Sequence, residues 1–455
     1  MSIATALDAL VPLLGERLAR SKSDLDLHAG SESHFPPIAP DAVAYPLSLA
    51  EVQALVAICA DHGCPMTGWG AGTSLEGHGL AVKGGLVVDF TRMNKVLEIR
   101  PADMDVTVQP GVTRQSLNEE LRATGLFFPV DPGANATLGG MAMTRASGTT
   151  TVRYGSMRDN VLGMQVVLAD GRIIRTGSRA RKSAAGYDLT ALLVGSEGTL
   201  GLVTELTLRL HGIPEATSAG ICAFPDMHAA VTAVMETIQM GIPMARIEFV
   251  DAATARAFTD YSGMQMAEAP HLLVEFNGSP ESVAQDAERF GEIVADHGAS
   301  TFRWSAREEE RRALWALRHN GYYAILASRK GARALVTDIC VPISRLADAV
   351  EQTQADIAAS LIPGPILGHV GDGNFHAVLL VDPDQPAEMA EAQRLSHRMA
   401  ERALALGGTC TGEHGVGMGK LSHMRAEHGE GWDVMGQIKQ TLDPRNLMNP
   451  GKLVP

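Results

Sequence analysis

The sequence predicts an α+β protein built from more than one domain, and three observations carry that reading. The chain has 455 residues, enough for two or three domains of roughly 100–200 residues each. Apolar runs of strand length alternate with longer stretches that carry helix caps. The 47 glycines exceed the roughly 7% of an average protein. They gather at Gly68–Gly85, Gly133–Gly148, Gly195–Gly201, Gly368–Gly373 and Gly407–Gly419, with no fixed repeat period. Glycine concentrated in several loops lets backbone approach a ligand closely.

The elements follow in chain order. Ser48-Leu49-Ala50-Glu51 reads as a capping box that opens a helix to about His62. After Pro65-Met66-Thr67 comes the loop Gly68-Trp69-Gly70-Ala71-Gly72-Thr73-Ser74. Gly85–Phe90 and Asp105–Gln109 read as strands, the second ending at Pro110-Gly111. Gln115–Thr124 reads as a helix closed by Gly125. Met164–Leu168 and Arg172–Thr176 flank Asp170-Gly171, a hairpin signal. Leu202–Leu210 is a further strand.

The pattern changes around His211-Gly212-Ile213-Pro214, where a domain boundary is placed near residue 212. From Asp226 onward, helices alternate with strands at Arg246–Val250, His271–Phe276, Thr301–Trp304, Ala334–Val341, Ile366–Val370 and Phe375–Val381. The final stretch, Asp443 to Lys452, reads as a turn-rich tail too polar to be a core element.

Charge and composition exclude several classes. Lys plus Arg number 38 against 52 Asp plus Glu, a formal charge of −14, which argues against a nucleic-acid partner. No run of about 18 apolar residues predicts a membrane span. Residues 1–20 form an amphipathic stretch containing Asp8 and Glu16, without the features of a secretory signal. Cys59, Cys64, Cys222, Cys340 and Cys410 include no C-x-x-C pair. Reduced thiols fit better than a disulfide framework or an iron–sulfur site. The expected location is therefore cytoplasmic, with peripheral attachment to an inner membrane left open.

The first glycine loop lacks the Rossmann spacing, because Ser74 stands where a third glycine would be. It also lacks the Lys-Ser/Thr that closes a P-loop. Its exposed N–H groups could still cradle an anion. Pro129–Gly140 is nearly all turn chemistry, and Arg153-Tyr154-Gly155 and Gly195-Ser196-Glu197-Gly198-Thr199-Leu200-Gly201 add two more loops. Together these segments, over residues 40–210, resemble the flavin-binding half of the vanillyl-alcohol oxidase / p-cresol methylhydroxylase flavoproteins. The resemblance implies FAD contacts from Gly68, Gly70, Ala71, Gly72, Thr73, Ser74, Pro132, Gly133, Ala134, Thr137, Gly139 and Gly140. It implies further contacts from Gly148, Arg153, Tyr154, Gly155, Glu197, Gly198, Gly201 and, in the tail, Asn449. Some relatives attach FAD to a histidine in the first loop, but Gly70–Ser74 holds none. His78 lies just beyond and reads as an ordinary loop residue, so FAD is expected to be held non-covalently.

Gly368-His369-Val370-Gly371-Asp372-Gly373-Asn374-Phe375-His376 carries the second signal. A four-residue hairpin loop over Gly371–Asn374 would set His369 directly opposite His376, on one face. Two imidazoles at that spacing fit a divalent cation as well as they fit a solvated pair. Glu413, on the glycine-shaped loop Gly407–Gly419, could complete a two-histidine, one-carboxylate set. His414 beside it would then serve as a base. Arg318, on an amphipathic helix beginning near Glu308, could fork a carboxylate.

These five residues resemble the catalytic half of the flavin-dependent D-2-hydroxyacid dehydrogenases, with the cytochrome-type D-lactate dehydrogenases nearest. The flavin subunit of glycolate oxidase and the D-2-hydroxyglutarate dehydrogenases are similar but more distant. The resemblance implies His369, His376 and Glu413 as ligands of one zinc or manganese ion, His414 as base and Arg318 as carboxylate clamp. Where relatives often have a lysine, this chain has Arg333, whose role is left open. The implied architecture is a two-subdomain FAD domain over 1–212 and a ferredoxin-like substrate or cap domain over 213–406. A segment over 407–455 would complete the active site and return to the FAD domain.

The implied reaction takes a D-2-hydroxyacid to the 2-oxoacid, with hydride passing to flavin N5. Electrons would then leave to a cytochrome, a quinone-linked carrier or an electron-transfer flavoprotein. A same-fold transferase that uses FAD without net oxidation relies on consecutive histidines, which this chain lacks. A homodimer is left open.

Overall fold

A computed structural model describes residues 2–455 and divides into two compact units. One unit takes in the chain up to Ser147, Gly155–Ile213 and Glu413–Pro455, and the other takes Gly148–Tyr154 and Pro214–Gly412. No helix among the described residues is long and apolar enough to cross a membrane, and none of the five cysteines is in a disulfide.

The first unit holds two main sheets. In one, Ala42–Ala44, Leu86–Asp89 and Met66–Trp69 run parallel, and Leu18–Ala19 adds an antiparallel edge. Ala42–Ala44 and Leu86–Val88 are buried throughout, as expected for parallel strands covered on both faces. The predicted helix is Leu49–His62. The Ser48 side chain accepts from the Glu51 amide, and Gly63 closes the helix at φ 70°, a left-handed position that favours glycine. It packs Val52, Leu55, Val56 and Cys59 with Leu7, Leu10 and Leu14 of the helix Ile3–Leu14.

The other sheet is antiparallel, in the order Val96–Arg100, Asp105–Val108, Leu202–Arg209, Val161–Val167, Ile173–Gly177. Its last pair turns at Asp170-Gly171, with Gly171 at φ 80°. The helix Arg114–Leu121 ends in a short 3-10 turn, Arg122–Thr124, before Gly125 at φ 72°.

The tail departs from expectation, because it is part of the core. Leu447 and Met448 are buried with the first sheet, and Met448 bridges to Met66 in parallel. The Met66 amide donates to Leu447 O at 2.7 Å, and the Asn449 amide donates to Met66 O at 2.7 Å. Buried Lys439 secures the turn by donating to Thr199 O (2.8 Å), Asp443 Oδ2 (2.5 Å) and Met448 O (2.7 Å). A polar sequence enters a core when each polar atom finds a partner there.

The second unit is built on one eight-stranded antiparallel sheet. Its order is Arg303–Ser305, Ala216–Ala223, His271–Gly278, Met244–Val250, Ile366–His369, Asn374–Val381, Arg333–Val336, with Ile339–Cys340 also on Asn374–Val381. The first four strands, numbered along the chain, lie 4-1-3-2, the ferredoxin-like split βαβ arrangement. Side chains alternate between faces. Ile247 and Phe249 enter a core shared with Met227–Gln239, Pro280–Asp296, Leu346–Ala358 and Pro386–Ala405. Val250, Leu367, Val378 and Leu380 enter a second core under Ala252–Ser262, Glu308–His319 and Gly321–Ala327. The site residues of this unit lie on that second face.

Candidate active site

The glycine loops of the first unit are packed against one another. Gly68 lies in the strand Met66–Trp69. At Gly70 an added Cβ would run into Thr137 Oγ1, and at Gly72 (φ 72°) into the Trp69 ring at 2.7 Å. Ala71, Thr73 and Ser74 continue that loop without regular structure. Thr137 caps the helix Leu138–Thr144 by accepting from the Gly140 amide at 3.4 Å. Gly139 donates to Pro110 O at 2.8 Å, where a Cβ would not fit. Two loops distant in sequence thus present a helix N-terminus and bare backbone together, the chemistry that receives a pyrophosphate. Pro132, Gly133 and Ala134 lead into this helix. Beyond the adjoining residues of the chain, no described atom lies within 4 Å of an added Cβ at Gly133 or Gly198.

Other predicted cofactor residues have these contacts within the protein. Arg153 and Tyr154 belong to the second unit with Gly148. There Arg153 Nη1 donates to Pro243 O at 2.9 Å, and Tyr154 Oη lies 3.4 Å from Asn277 Nδ2. Gly155 belongs to the first unit, at φ 74° against Asp159. Gly201 leaves no room for a Cβ beside Val166.

Glu197 and Asn449 form an internal clasp. Glu197 Oε1 accepts from the Val416 amide at 2.7 Å and Oε2 from the Gly417 amide at 2.9 Å. Asn449 Nδ2 donates to Glu197 O (2.7 Å) and His78 O (3.1 Å). Lys452 Nζ donates to Leu80 O (2.7 Å), His78 O (3.3 Å) and Asn449 Oδ1 (3.3 Å). His78 is therefore no ordinary loop residue. It is buried, and its Nε2 lies 3.2 Å from Glu197 Oε1. Burial by itself would push the Glu197 carboxyl up. The neighbouring His78 and the two loop amides outweigh it and hold the carboxyl below its ordinary value.

In the second unit the hairpin register differs from expectation. His369 pairs with Asn374, and His376 pairs with Leu367. The loop is Val370–Gly373, with Gly373 at φ 78°, and Asn374 joins the strand. The reason lies in Asn374 itself, whose Nδ2 donates to Asp338 Oδ1 and Ile339 O, each at 2.8 Å. The shift is two residues, which preserves the face. The histidines are diagonal neighbours on one face, with ring centroids 5.7 Å apart at 84°.

Both rings are fixed through Nδ1. His369 Nδ1 lies 2.6 Å from Glu248 Oε1, and His376 Nδ1 lies 2.9 Å from Thr337 O. Thr337-Asp338 interrupts the strand expected over Ala334–Val341, giving Arg333–Val336 and Ile339–Cys340. That break aims the Thr337 carbonyl at His376. Glu248, fully buried, also receives Arg318, with Nε at 2.9 Å and Nη2 at 2.6 Å from Oε2. Arg318 is thus half-engaged within the protein. Arg246, two residues before Glu248 on the same strand face, lies with its guanidinium 4.8 Å over the Trp315 ring.

The remaining two predicted residues belong to the first unit. Glu413 Oε2 accepts from Ser147 Oγ at 2.7 Å, and His414 Nε2 lies 3.9 Å from Glu413 Oε1. Sequence reasoning missed Glu248 and Asp338. Each had one available signal, an acidic residue inside an apolar run of strand length.

Glycine loops packed at a helix N-terminus in one unit, and an arginine and two braced histidines in the other, are in keeping with a flavoprotein oxidoreductase. The profile of the FAD-linked oxidases' C-terminal domain matches residues 213–453, and that of the FAD binding domain matches residues 40–177. The chain belongs to the FAD-linked oxidases, and its cofactor is FAD. It is 49% identical over 419 residues to the probable mitochondrial D-lactate dehydrogenase of Danio rerio, covering 91% of this chain and 84% of that one. It is 43% identical over 417 residues to the mitochondrial D-lactate dehydrogenase [cytochrome] of Arabidopsis thaliana, covering 91% and 74%. The solved structure of p-cresol methylhydroxylase with substrate bound superposes with a TM-score of 0.79 at 18% identity, over 99% of this chain and 96% of that one. The expected fold therefore holds.

The expected cytoplasmic location does not hold, because both of these relatives are named as mitochondrial. Reduced thiols report the redox state of a compartment and do not distinguish one reducing compartment from another.

Proposed function

We propose that this flavoprotein is a divalent-metal-dependent dehydrogenase that oxidises D-2-hydroxyacids, D-lactate foremost, to 2-oxoacids. A cytochrome is its proposed electron acceptor, in keeping with the name of the Arabidopsis relative. We assign FAD to the first unit, held without a covalent bond, and the substrate to the second. The observation that carries the metal is the bracing of His369 and His376 at Nδ1 by a carboxylate and a carbonyl. Metal-bound histidines are held in this way, with Nε2 as the ligating nitrogen. Glu413, oriented by Ser147, is the proposed third ligand. It follows directly on Gly412, which packs without a Cβ on Asn374 within the second unit. Two imidazoles and one carboxylate suit zinc or manganese.

FAD, when bound, would supply the hydride acceptor, and a cation held by His369, His376 and Glu413 would supply a Lewis acid that lowers the cost of deprotonating the substrate hydroxyl. His414 takes that proton at an imidazole nitrogen. Arg318 holds the substrate carboxylate with the N–H groups that Glu248 does not occupy. Holding the carboxylate and the hydroxyl fixes two substituents of Cα, so its hydrogen points one way for only one enantiomer.

Anaerobic bleaching of the flavin by a panel of D- and L-2-hydroxyacids, with and without chelator, tests the reading. Bleaching by D-lactate alone of the lactate pair, abolished by chelator, is expected. Equal bleaching by both enantiomers, or none by any 2-hydroxyacid, would sink it. Acid precipitation should release all the flavin into the supernatant.

A further inference from the structure

We propose that Glu197 is a positioning residue for the loop that carries His414, and that the carboxyl-terminal Asn449 and Lys452 hold Glu197 in place for that task. The proposal rests on the reading of His414 as base. The Glu197 carboxylate spans two successive amides, Val416 and Gly417, which lie two and three residues beyond His414. Gly415, between them and His414, sits at φ 81°. An added Cβ there would meet His78 Nε2 at 2.7 Å and Glu197 Oε1 at 2.8 Å. The loop is thus pressed against Glu197 and His78 with no space for a side chain.

Glu197 is itself held from behind. Its backbone is left-handed, at φ 55°, a conformation that a residue other than glycine keeps only when its surroundings enforce it. Asn449, also at positive φ, donates to its carbonyl at 2.7 Å. Lys452, which is 1% exposed, donates to Asn449 and to the carbonyls of His78 and Leu80. A tail that spends an amide and a buried ammonium on these contacts links the last residues of the chain to the loop bearing the base. Both Glu197 oxygens accept from the loop, so the carboxylate bears on it directly.

The test compares the wild-type holoenzyme with Glu197→Gln, which keeps the shape but offers one acceptor where there were two. The limiting rate of anaerobic flavin reduction by D-lactate should fall roughly tenfold to hundredfold, the cost of misplacing a catalytic group by about 1 Å. The substrate Kd from the same experiment should change less than about threefold, with FAD content and Tm near wild type. A full limiting rate would overturn the proposal, and so would a loss of rate that merely tracks a loss of FAD. Should Glu197→Gln fail to fold, Gly415→Ala displaces the loop from the opposite side and must show the same split of rate from Kd. Hydrogen exchange in the wild-type holoenzyme gives a reading that needs no variant. The Val416 and Gly417 amides should be protected, whereas exchange as fast as in the exposed stretch 179–187 would contradict the clasp. If the wild type is not reduced by any 2-hydroxyacid, the functional reading fails, and the exchange result alone judges Glu197.

Discussion

Replacing Glu248 by Gln tests the metal reading from a residue that touches neither metal nor substrate in that reading. Its carboxylate meets His369 Nδ1 through Oε1 and two N–H groups of Arg318 through Oε2. A glutamine offers one oxygen and one NH2 in the same space. The oxygen should turn to Arg318, because a bond from a permanent cation is worth about 1.5–3 kcal/mol against about 0.5–1.5 for a neutral one. The NH2 then faces His369 Nδ1, which must become the acceptor, so the ring proton moves to Nε2. An imidazole protonated at Nε2 cannot ligate through that atom. The expected loss of metal affinity is about 10–100-fold, or about 1.4–2.8 kcal/mol. Equilibrium dialysis against buffered zinc or manganese, with bound metal counted per flavin, measures it directly. Excess metal should restore most of the flavin-reduction rate. Wild-type affinity in Glu248→Gln would refute this account of how His369 is oriented.

Two other predictions concern the first unit. Gly70→Ala places a Cβ onto Thr137 Oγ1 and should separate the two loops assigned to the pyrophosphate. FAD occupancy, read as flavin absorbance per protein, should fall by more than about half, and a fully yellow variant would argue against that assignment. Burial lowers the Lys452 ammonium pKa from 10.5 to about 8, so between those values the unfolded chain binds more protons than the folded one. Stability should therefore rise with pH across that window, by at most about 1.4 kcal/mol per pH unit, and stay flat in this respect below it. Urea midpoints should show the rise in wild type and its loss in Lys452→Met, whereas identical slopes would contradict the assignment.

Much of the fold was legible because it rests on local chemistry. Ser48 opens a helix and Gly63 closes it, although the Glu51 side chain turns to the Leu47 amide and not to Ser48. Asp170-Gly171 turns a hairpin. The shared face of His369 and His376 was also legible, since a period of two survives a register shift of two residues. The register itself was not legible, because it is set by Asn374 reaching Asp338, 36 residues earlier. Glu248 was hidden for the same reason. Its partners are 70 and 121 residues away, and nothing local marks a carboxylate as a shared acceptor. In the glycine loops the motif stood out but the labour within it did not. The resemblance marked Glu197 by its place in the motif, but not that its side chain also serves amides 219 and 220 residues downstream. The tail Asp443–Lys452 looked too polar for a core because each residue was weighed without its eventual partners.

The most direct measurement is stopped-flow anaerobic flavin reduction by D-lactate in enzyme stripped of metal by chelator and then reloaded with one equivalent of zinc or manganese. Stripped enzyme should keep its FAD and reduce at least about 100-fold more slowly, and reloading should restore the rate in wild type but not in His376→Ala. Stripped, FAD-replete enzyme that reduces at the full rate would contradict the account.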